Sequence, residues 1–342
     1  MDDGQRSIQL NKMSVSPMNE NRKLVTKLPF EPHHKALLEK AAPEAQIVYV
    51  PPRDQETLQT ELADATVAVI VGRPDVSSAK ELAWMHWDAA GLDAIAQDDY
   101  INAGFAITGS AGRSAPALAE HVLYFMLNHA YHNRTVLDAQ DRHQWGYPGQ
   151  AEMKALFSQT IGIVGMGHTG QALAKRAKAL EMTVLAYDRY DLTNENIDHM
   201  YAGCNGDSID DMIPQCDFIV MCCALTDQTW HMLGQKQFEL MKPNVVIVNV
   251  GRGKTIDEAV LLDALRTGKI AGAGLDTFET EPLPADSPVW DTPNLFVTPH
   301  FTPACPDKLG RSLAVVLENI EHFHKGEPLI NQLKPEDKFT KR

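Results

Sequence analysis

Between residues 244 and 300, three apolar segments each deliver side chains that can move charge. "NVVIVNVGRG" leads to Arg252, "AGAGLDTFETEP" delivers Asp276 and then Glu281, and "NLFVTPH" ends on His300. Arginine is a fixed cation with a planar fork, suited to a carboxylate and a carbonyl oxygen. Histidine exchanges a proton near neutral pH. A glutamate bonded to that histidine favours the imidazolium and fixes its orientation. If the segments are strands of an open parallel sheet, their carboxyl ends meet where such sheets bind ligands. Glu279 and Glu281 also admit an acid-pair hydrolase. That reading leaves Arg252 and a glycine loop upstream without a task. Glu279 sits in the turn after its strand and is expected to face water.

The glycine loop is "TIGIVGMGHTG", with Gly165, Gly167 and Gly170 in the pattern G-x-G-x-x-G. A β-branched run precedes it. A helical stretch follows, with Leu173, Ala177 and Leu180 spaced to share one apolar face. Gly165 allows the tight turn, Gly167 lets backbone approach a pyrophosphate, and Gly170 allows close helix–strand packing. The helix N-terminus then faces the anion. Asp188 ends the next strand, "TVLAYD", where a carboxylate can accept hydrogen bonds from ribose hydroxyls. It would repel a 2′-phosphate by roughly 1–4 kcal/mol. NAD is therefore favoured over NADP, although Arg189 next door could swing toward a phosphate.

These residues need a scaffold, and the chain supplies two alternating series. "KLVTKL", "AQIVYV" and "ATVAVIVG" read as strands, and "PHHKALLEKAA", "DQETLQTEL" and "SAKELAWMHW" as helices between them. A long helix, roughly Pro116 to Arg134, is apolar over much of its circumference at its centre and reads as buried. The second series begins at Thr160 with "TIGIVG", "TVLAYD", "CDFIVMCCAL", "NVVIVNVG", "AGAGLDTF" and "LFVTPH" as strands. A last helix, "DKLGRSLAVVLENIEHFHKG", could pack back onto the first part. Alternation of this kind implies parallel sheets with helices on both faces.

"GMGHTG", "YDR", "NVGRGKTIDEAVLLDAL", "GLDTFETEPLP" and "NLFVTPH" together resemble the D-isomer-specific 2-hydroxyacid dehydrogenase family. The resemblance runs from about residue 45 to 325 and is most specific from Gly162 to His300. It implies an α/β fold of two doubly wound parallel-sheet domains, flavodoxin-like for substrate and Rossmann for cofactor, with a cleft between. The expected division is a disordered leader at 1–20, a substrate domain at 21–114 plus 303–342, and an NAD-binding domain at 115–302. By resemblance Arg252, Glu281 and His300 are catalytic: Arg252 binds substrate carboxylate and carbonyl, His300 is the acid/base, and Glu281 pairs with it. The implied NAD contacts are Gly165, Met166, Gly167, His168, Thr169, Gly170, Asp188 and Arg189. Beyond them come Cys223, Ala224, Leu225 and Thr229 within or beside the segment from Cys222 to Gln228. Val250, Gly251, Arg252, Asp276 and His300 complete the set, with Asp276 toward the nicotinamide carboxamide. Ala90 and Gly91, in "HWDAAGLDAI", would hold the substrate carboxylate with Arg252. The reaction implied is hydride transfer between NADH and a 2-oxo acid. Two departures blur the substrate: Thr302 followed by Pro303, where the family has a small residue, and a bulkier start to "WDAAGLDA".

Composition narrows the rest. The 342 residues carry a net charge of −14, which argues against a nucleic-acid or anionic-membrane surface. The five cysteines show no C-x-x-C spacing and read as reduced buried thiols of a cytoplasmic protein. No apolar run is long enough for a membrane helix, and residues 1–20 lack the apolar core of a signal peptide. His129 and His132 stand at ligand spacing without a third ligand, and no metal is expected. Arg113 and Arg134 could contact substrate or a partner subunit. The 42 residues after His300 leave no room for the regulatory domain of the family's serine-pathway members. The expected partners are a small 2-oxo or 2-hydroxy acid and a second copy of the chain, paired as a homodimer through the cofactor domains. The rival reading is an NAD(H)-sensing, corepressor-like interaction protein on the same fold.

Overall fold

The computed structural model describes residues 22–147, 149–301 and 305–341. The expected leader, Thr302 and Pro303 lie outside that range. The chain divides into two compact units. The first takes residues up to Ala89, with Ala103–Ser110 and Leu309–Leu333; the second takes Ala90–Asn102, Ala111–Lys308 and the residues from Lys334 onward. Residues 90–102 and those from Lys334, expected with the first part, thus group with the second.

The first unit is built on β1 (Lys23–Thr26), β2 (Gln46–Tyr49), β3 (Val67–Ile70), β4 (Trp84–Trp87) and β5 (Ala106–Gly109). They form one parallel sheet in the order β2-β1-β3-β4-β5. "SAKELAWMHW" is not a helix: its second half is β4, paired with β3 and β5 and buried at every residue. A strand covered on both faces is apolar without alternation, so a short one cannot be told from a buried helix by pattern. The last helix, Lys308–Lys325, brings Leu313, Val316, Ile320 and Phe323 into one core with Leu24 and Trp84. Those positions fall on one helical stripe, and the Phe323 and Trp84 rings lie 5.8 Å apart.

The second unit is built on β6 (Thr160–Val164), β7 (Thr183–Asp188), β8 (His199–Ala202), β9 (Phe218–Met221), β10 (Val246–Asn249), β11 (Gly272–Leu275) and β12 (Leu295–Val297). Its sheet order is β12-β11-β10-β9-β6-β7-β8. The chain starts in the middle at β6, winds outward to β8, then returns to β9 and winds the other way. Between β6 and β9 lies the switch point where such sheets open a crevice for ligands. Ile161, Val220 and Val248 face one core with Val122, Phe125 and Met126 of helix Ala115–Ala130. Ile219 and Ile247 face the other core, with Leu261 and Leu265 of helix Glu258–Arg266.

The long helix expected to reach Arg134 stops at Ala130, and a second helix, Asn133–Asp141, follows. His132 between them is left-handed, at φ 46°. That conformation costs a non-glycine residue on the order of 1–2 kcal/mol and breaks helical propagation. Asn133 crosses the break, donating to the Asn128 side chain at 2.6 Å.

His129 lies flush against the sheet. Its Nε2–H donates to the Ala273 carbonyl at 2.9 Å, and its ring meets Phe296 edge-on at 4.8 Å. Burial pushes its pKa down to about 4. The folded chain therefore prefers the neutral ring, whereas an unfolded histidine titrates near 6.5. The stability tied to His129 is whole above about pH 6.5 and is lost as pH falls toward 4. We expect denaturant unfolding of His129→Gln to show a shallower loss than the parent between pH 7 and 4. The difference should be about 1–3 kcal/mol. Parallel slopes for the two proteins would contradict this.

Candidate active site

The glycine loop leaves β6 at Val164. Gly165 has φ 95°, and a Cβ there would stand 2.6 Å from the backbone of Cys223, just beyond β9. Only a residue without a side chain allows that backbone approach. Helix His168–Ala179 then starts with Gly167 as its N-cap, so its first N–H groups open toward the crevice. Met166 is buried, and its N–H donates to Asp188 Oδ2 at 2.8 Å. Asp188 Oδ1 accepts from the Tyr190 N–H at 3.1 Å. One carboxylate at the end of β7 thus ties the glycine loop to the next turn.

A cavity of about 650 Å³ opens at this switch point. Gly165, Gly167, His168, Thr169, Asp188 and Arg189 line one part of it. Cys223, Ala224 and Thr229 line the β9 side, and Val250, Gly251 and Arg252 the end of β10. Ala90 and Gly91 complete the wall beside Arg252. A glycine cradle, a helix N-terminus and an acidic strand end in one cavity fit the pyrophosphate and ribose of a dinucleotide. Burial pushes the Cys222 thiol up and the Cys223 thiol up to about 12, so neither is a thiolate nucleophile. Cys204, by contrast, is exposed rather than buried.

Arg252 is oriented by two acceptors. Its Nε–H donates to Asp93 Oδ1 and its Nη1–H to the Gly251 carbonyl, both at 2.8 Å. The guanidinium lies over Gly91 so closely that a Cβ there would overlap it. Asp93 was not singled out in the sequence, although it stands two residues after Gly91 in the stretch that was.

His300 Nδ1 and Glu281 Oε2 are 2.6 Å apart. The other oxygen of Glu281 accepts from the Phe278 N–H at 2.9 Å. One end of the carboxylate is thereby fixed to backbone and the other holds the imidazole at Nδ1, so Nε2 is the ring nitrogen that Glu281 does not engage. His300 itself is left-handed, at φ 47°, just past β12. A strained non-glycine residue of this kind is held by its surroundings and is enriched at working sites. Asp276 is 1% exposed; it accepts from the Thr298 hydroxyl at 2.6 Å and from the Phe301 N–H at 3.1 Å. Burial drives its pKa up, against the pull of the Thr298 hydroxyl and His121.

The cavity lining does not take in every expected residue. Met166, Gly170, Leu225, Asp276, Glu281 and His300 stand outside it. Gly170 packs on the Gly165 carbonyl, and Leu225 is buried. The Glu281–His300 pair sits beside the Arg252 end: Gly253 packs on the backbone of Phe278, whose N–H holds Glu281. Glu279 is not a solvated bystander. It accepts from the Glu258 N–H at 3.1 Å, at the start of helix Glu258–Arg266, and meets His231 Nε2 at 2.8 Å. A carboxylate there satisfies an orphan donor and complements the helix dipole. Arg189, left undecided by the sequence, donates to Asp337 Oδ1 at 2.7 Å and to the Glu336 carbonyl at 3.3 Å.

Residues 123–302 match the family model for the NAD-binding domain of D-isomer specific 2-hydroxyacid dehydrogenases. A glyoxylate reductase of Korarchaeum cryptofilum is 31% identical over 307 residues, covering 86% of this chain and 88% of the relative. The crystal structure of a D-isomer specific 2-hydroxyacid dehydrogenase family protein from Aeromonas salmonicida superposes with TM-score 0.76 at 30% identity, over 92% of this chain and 99% of that one. An NADPH-dependent glyoxylate/hydroxypyruvate reductase from Sinorhizobium meliloti, solved with NADP and sulfate, gives TM-score 0.76 at 26% identity, over 92% and 98%.

Gly165→Val forces a side chain against the Cys223 backbone. We expect dinucleotide affinity, read by titration calorimetry, to fall by at least about tenfold while the chain stays folded. Unchanged affinity would remove the loop from the binding site.

Proposed function

The chain belongs to the D-isomer-specific 2-hydroxyacid dehydrogenase family, and from that premise we propose how its residues reduce a 2-oxo acid to a D-2-hydroxy acid, and the reverse. The observation that carries the reading is the Glu281–His300 pair at 2.6 Å beside the Arg252 end of a glycine-cradled cavity. A bound nicotinamide supplies the hydride. The fork of Arg252, steadied by Asp93, takes the substrate carboxylate and stabilises charge developing on the carbonyl oxygen. The N–H groups of Ala90 and Gly91 assist with the carboxylate. His300, protonated and held at Nδ1 by Glu281, delivers its proton from Nε2 to that oxygen. In oxidation the same nitrogen takes the proton back. Asp276, fixed by Thr298 and Phe301, holds the chain from which His300 reaches out and stands toward the carboxamide of the cofactor.

The cofactor is a nicotinamide dinucleotide, and we favour NAD over NADP. Asp188 presents a carboxylate where a 2′-phosphate would sit, and Arg189 is already engaged by Asp337. The substrate class favoured by the relatives is a small 2-oxo acid such as glyoxylate or hydroxypyruvate. The relatives are named as reductases and dehydrogenases, and no observation favours the sensor reading. Among the described residues no helix is long and apolar enough to cross a membrane. Free thiols support a reducing, cytoplasmic setting. A homodimer is supported by Tyr124, Leu127, Tyr131, Leu137 and Trp145, exposed apolar side chains along and just beyond helices Ala115–Ala130 and Asn133–Asp141.

Three outcomes test this. His300→Ala should lose roughly 10²- to 10⁴-fold in turnover with NADH affinity kept; parent-like turnover would refute the acid/base role. Glu281→Gln removes the charge that favours the imidazolium. Its turnover should fall by roughly tenfold or more with NADH affinity kept, because the imidazole loses the partner that orients it. Parent-like turnover in this variant would deny the pairing. Light scattering at micromolar concentration should return the mass of two chains, and a monomer would refute the dimer.

A further inference from the structure

Residues Lys334–Lys341 form a strap against Arg189, Tyr190 and Asp227, behind the cavity wall, that the dehydrogenase chemistry does not use. The strap is pinned at several points within the second unit. Thr340 donates its N–H and hydroxyl to the two oxygens of Asp227, at 2.8 and 2.9 Å. The Lys338 carbonyl accepts from the Asp227 N–H at 3.0 Å, and the Phe339 N–H donates to the Ala96 carbonyl at 3.0 Å. Phe339 is buried. Within the strap, the short turn Pro335–Asp337 aims two carboxylates at the end of β7. Glu336 accepts from the Tyr190 hydroxyl at 2.7 Å. Asp337 uses both oxygens: Oδ2 accepts from the Lys334 N–H at 3.0 Å, and Oδ1 takes Arg189 Nη2 at 2.7 Å. The Asp337 carboxylate is thus fixed by its own turn before it meets the guanidinium.

We propose that Asp337 is a specificity-determining residue, which holds Arg189 in a fixed pair and so denies it to the 2′-phosphate of NADP(H). The inference rests on the dinucleotide-dependent reading above. An arginine just after the strand that carries the ribose-binding acid is the group that accommodates a 2′-phosphate. This chain carries both elements side by side, Asp188 and Arg189, and the pair alone does not decide. Asp337, 148 residues downstream of Arg189, does. For Arg189 to serve a phosphate it must leave Asp337, and the dianion would then face Asp337, Glu336 and Asp188 together. With Asp337 neutral, Arg189 turns from a spectator into a phosphate ligand. Lys334 lies over the Tyr190 ring at 5.2 Å and is a further cation near this edge. The role of Arg189 is therefore tested separately from that of charge in general.

The test is steady-state kinetics of the full chain with NADH and with NADPH, on whichever 2-oxo acid it reduces. The variants are Asp337→Asn, Asp337→Glu, Arg189→Ala and the Arg189→Ala/Asp337→Asn double. In Asp337→Asn the NADPH-to-NADH ratio of kcat/KM should rise roughly fivefold or more, through a lower KM for NADPH rather than a higher kcat. Asp337→Glu should keep the parent ratio. In the Arg189→Ala background, Asp337→Asn should change the ratio by less than about twofold. An unchanged ratio in Asp337→Asn overturns the proposal, as does an equal rise without Arg189. A thermal melt of each variant shows whether it is folded, and calorimetric titration of NADP+ into a folded but slow variant reads the same affinity change. A parent protein that binds and oxidises neither dinucleotide overturns the enzymatic reading and this proposal with it. Turnover of NADH with an unmoved ratio overturns this proposal alone.

Discussion

Ile247 pairs with Ala273 and Ala273 with Leu295; two residues on, Asn249 pairs with Leu275 and Leu275 with Val297. That parallel register sets the carboxyl ends of β10, β11 and β12 level, and the rest of the site depends on it. Arg252 follows the first end, Asp276 and Glu281 the second, and His300 the third. A slip of one residue in any of them would turn its alternate side chains to the opposite face. Burial on both faces prevents the slip, because Ile247 and Val248 are committed to different cores. The geometry of the candidate site is a consequence of packing that has no chemistry of its own.

On that base the loops make short-range corrections. Glu281 is tied to the Phe278 N–H by one oxygen and to His300 by the other, so the imidazole is oriented without a long lever. Asp276 fastens Thr298 and the Phe301 N–H on either side of the left-handed turn at His300. Arg252 is flattened over Gly91 and held by Asp93. A pair as exposed as Glu281–His300 adds little to stability, on the order of 1 kcal/mol or less. On the proposed function, its value is in placing a proton rather than in holding the fold.

The sequence was most legible where function needs local backbone. The glycine loop, Asp188 at the end of β7, and the strand ends carrying Arg252, Glu281 and His300 stand where their neighbours in sequence imply. It was least legible where tertiary contact decides. "WMHW" became β4 because neighbours cover both of its faces, and a fully buried strand has no period to read. The break at His132 and the short strands β5 and β8 carry no strong local signal. Glu279 looked like one acid of a wet turn, but helix Glu258–Arg266 brings an N–H to it. Asp93 and Asp337 reach their arginines across 159 and 148 residues, distances over which no local pattern speaks.

The most direct measurement follows the hydrogen itself. The protein would be given NADH deuterated at the transferable position of C4, with hydroxypyruvate in ordinary water, and the product examined by proton and deuterium NMR and by chiral chromatography. D-glycerate carrying deuterium on C2 is the expected result, since hydride comes from the nicotinamide and only the oxygen's proton comes through His300 from solvent. Glycerate of the opposite hand, or product whose C2 hydrogen comes from water, would contradict the assignment.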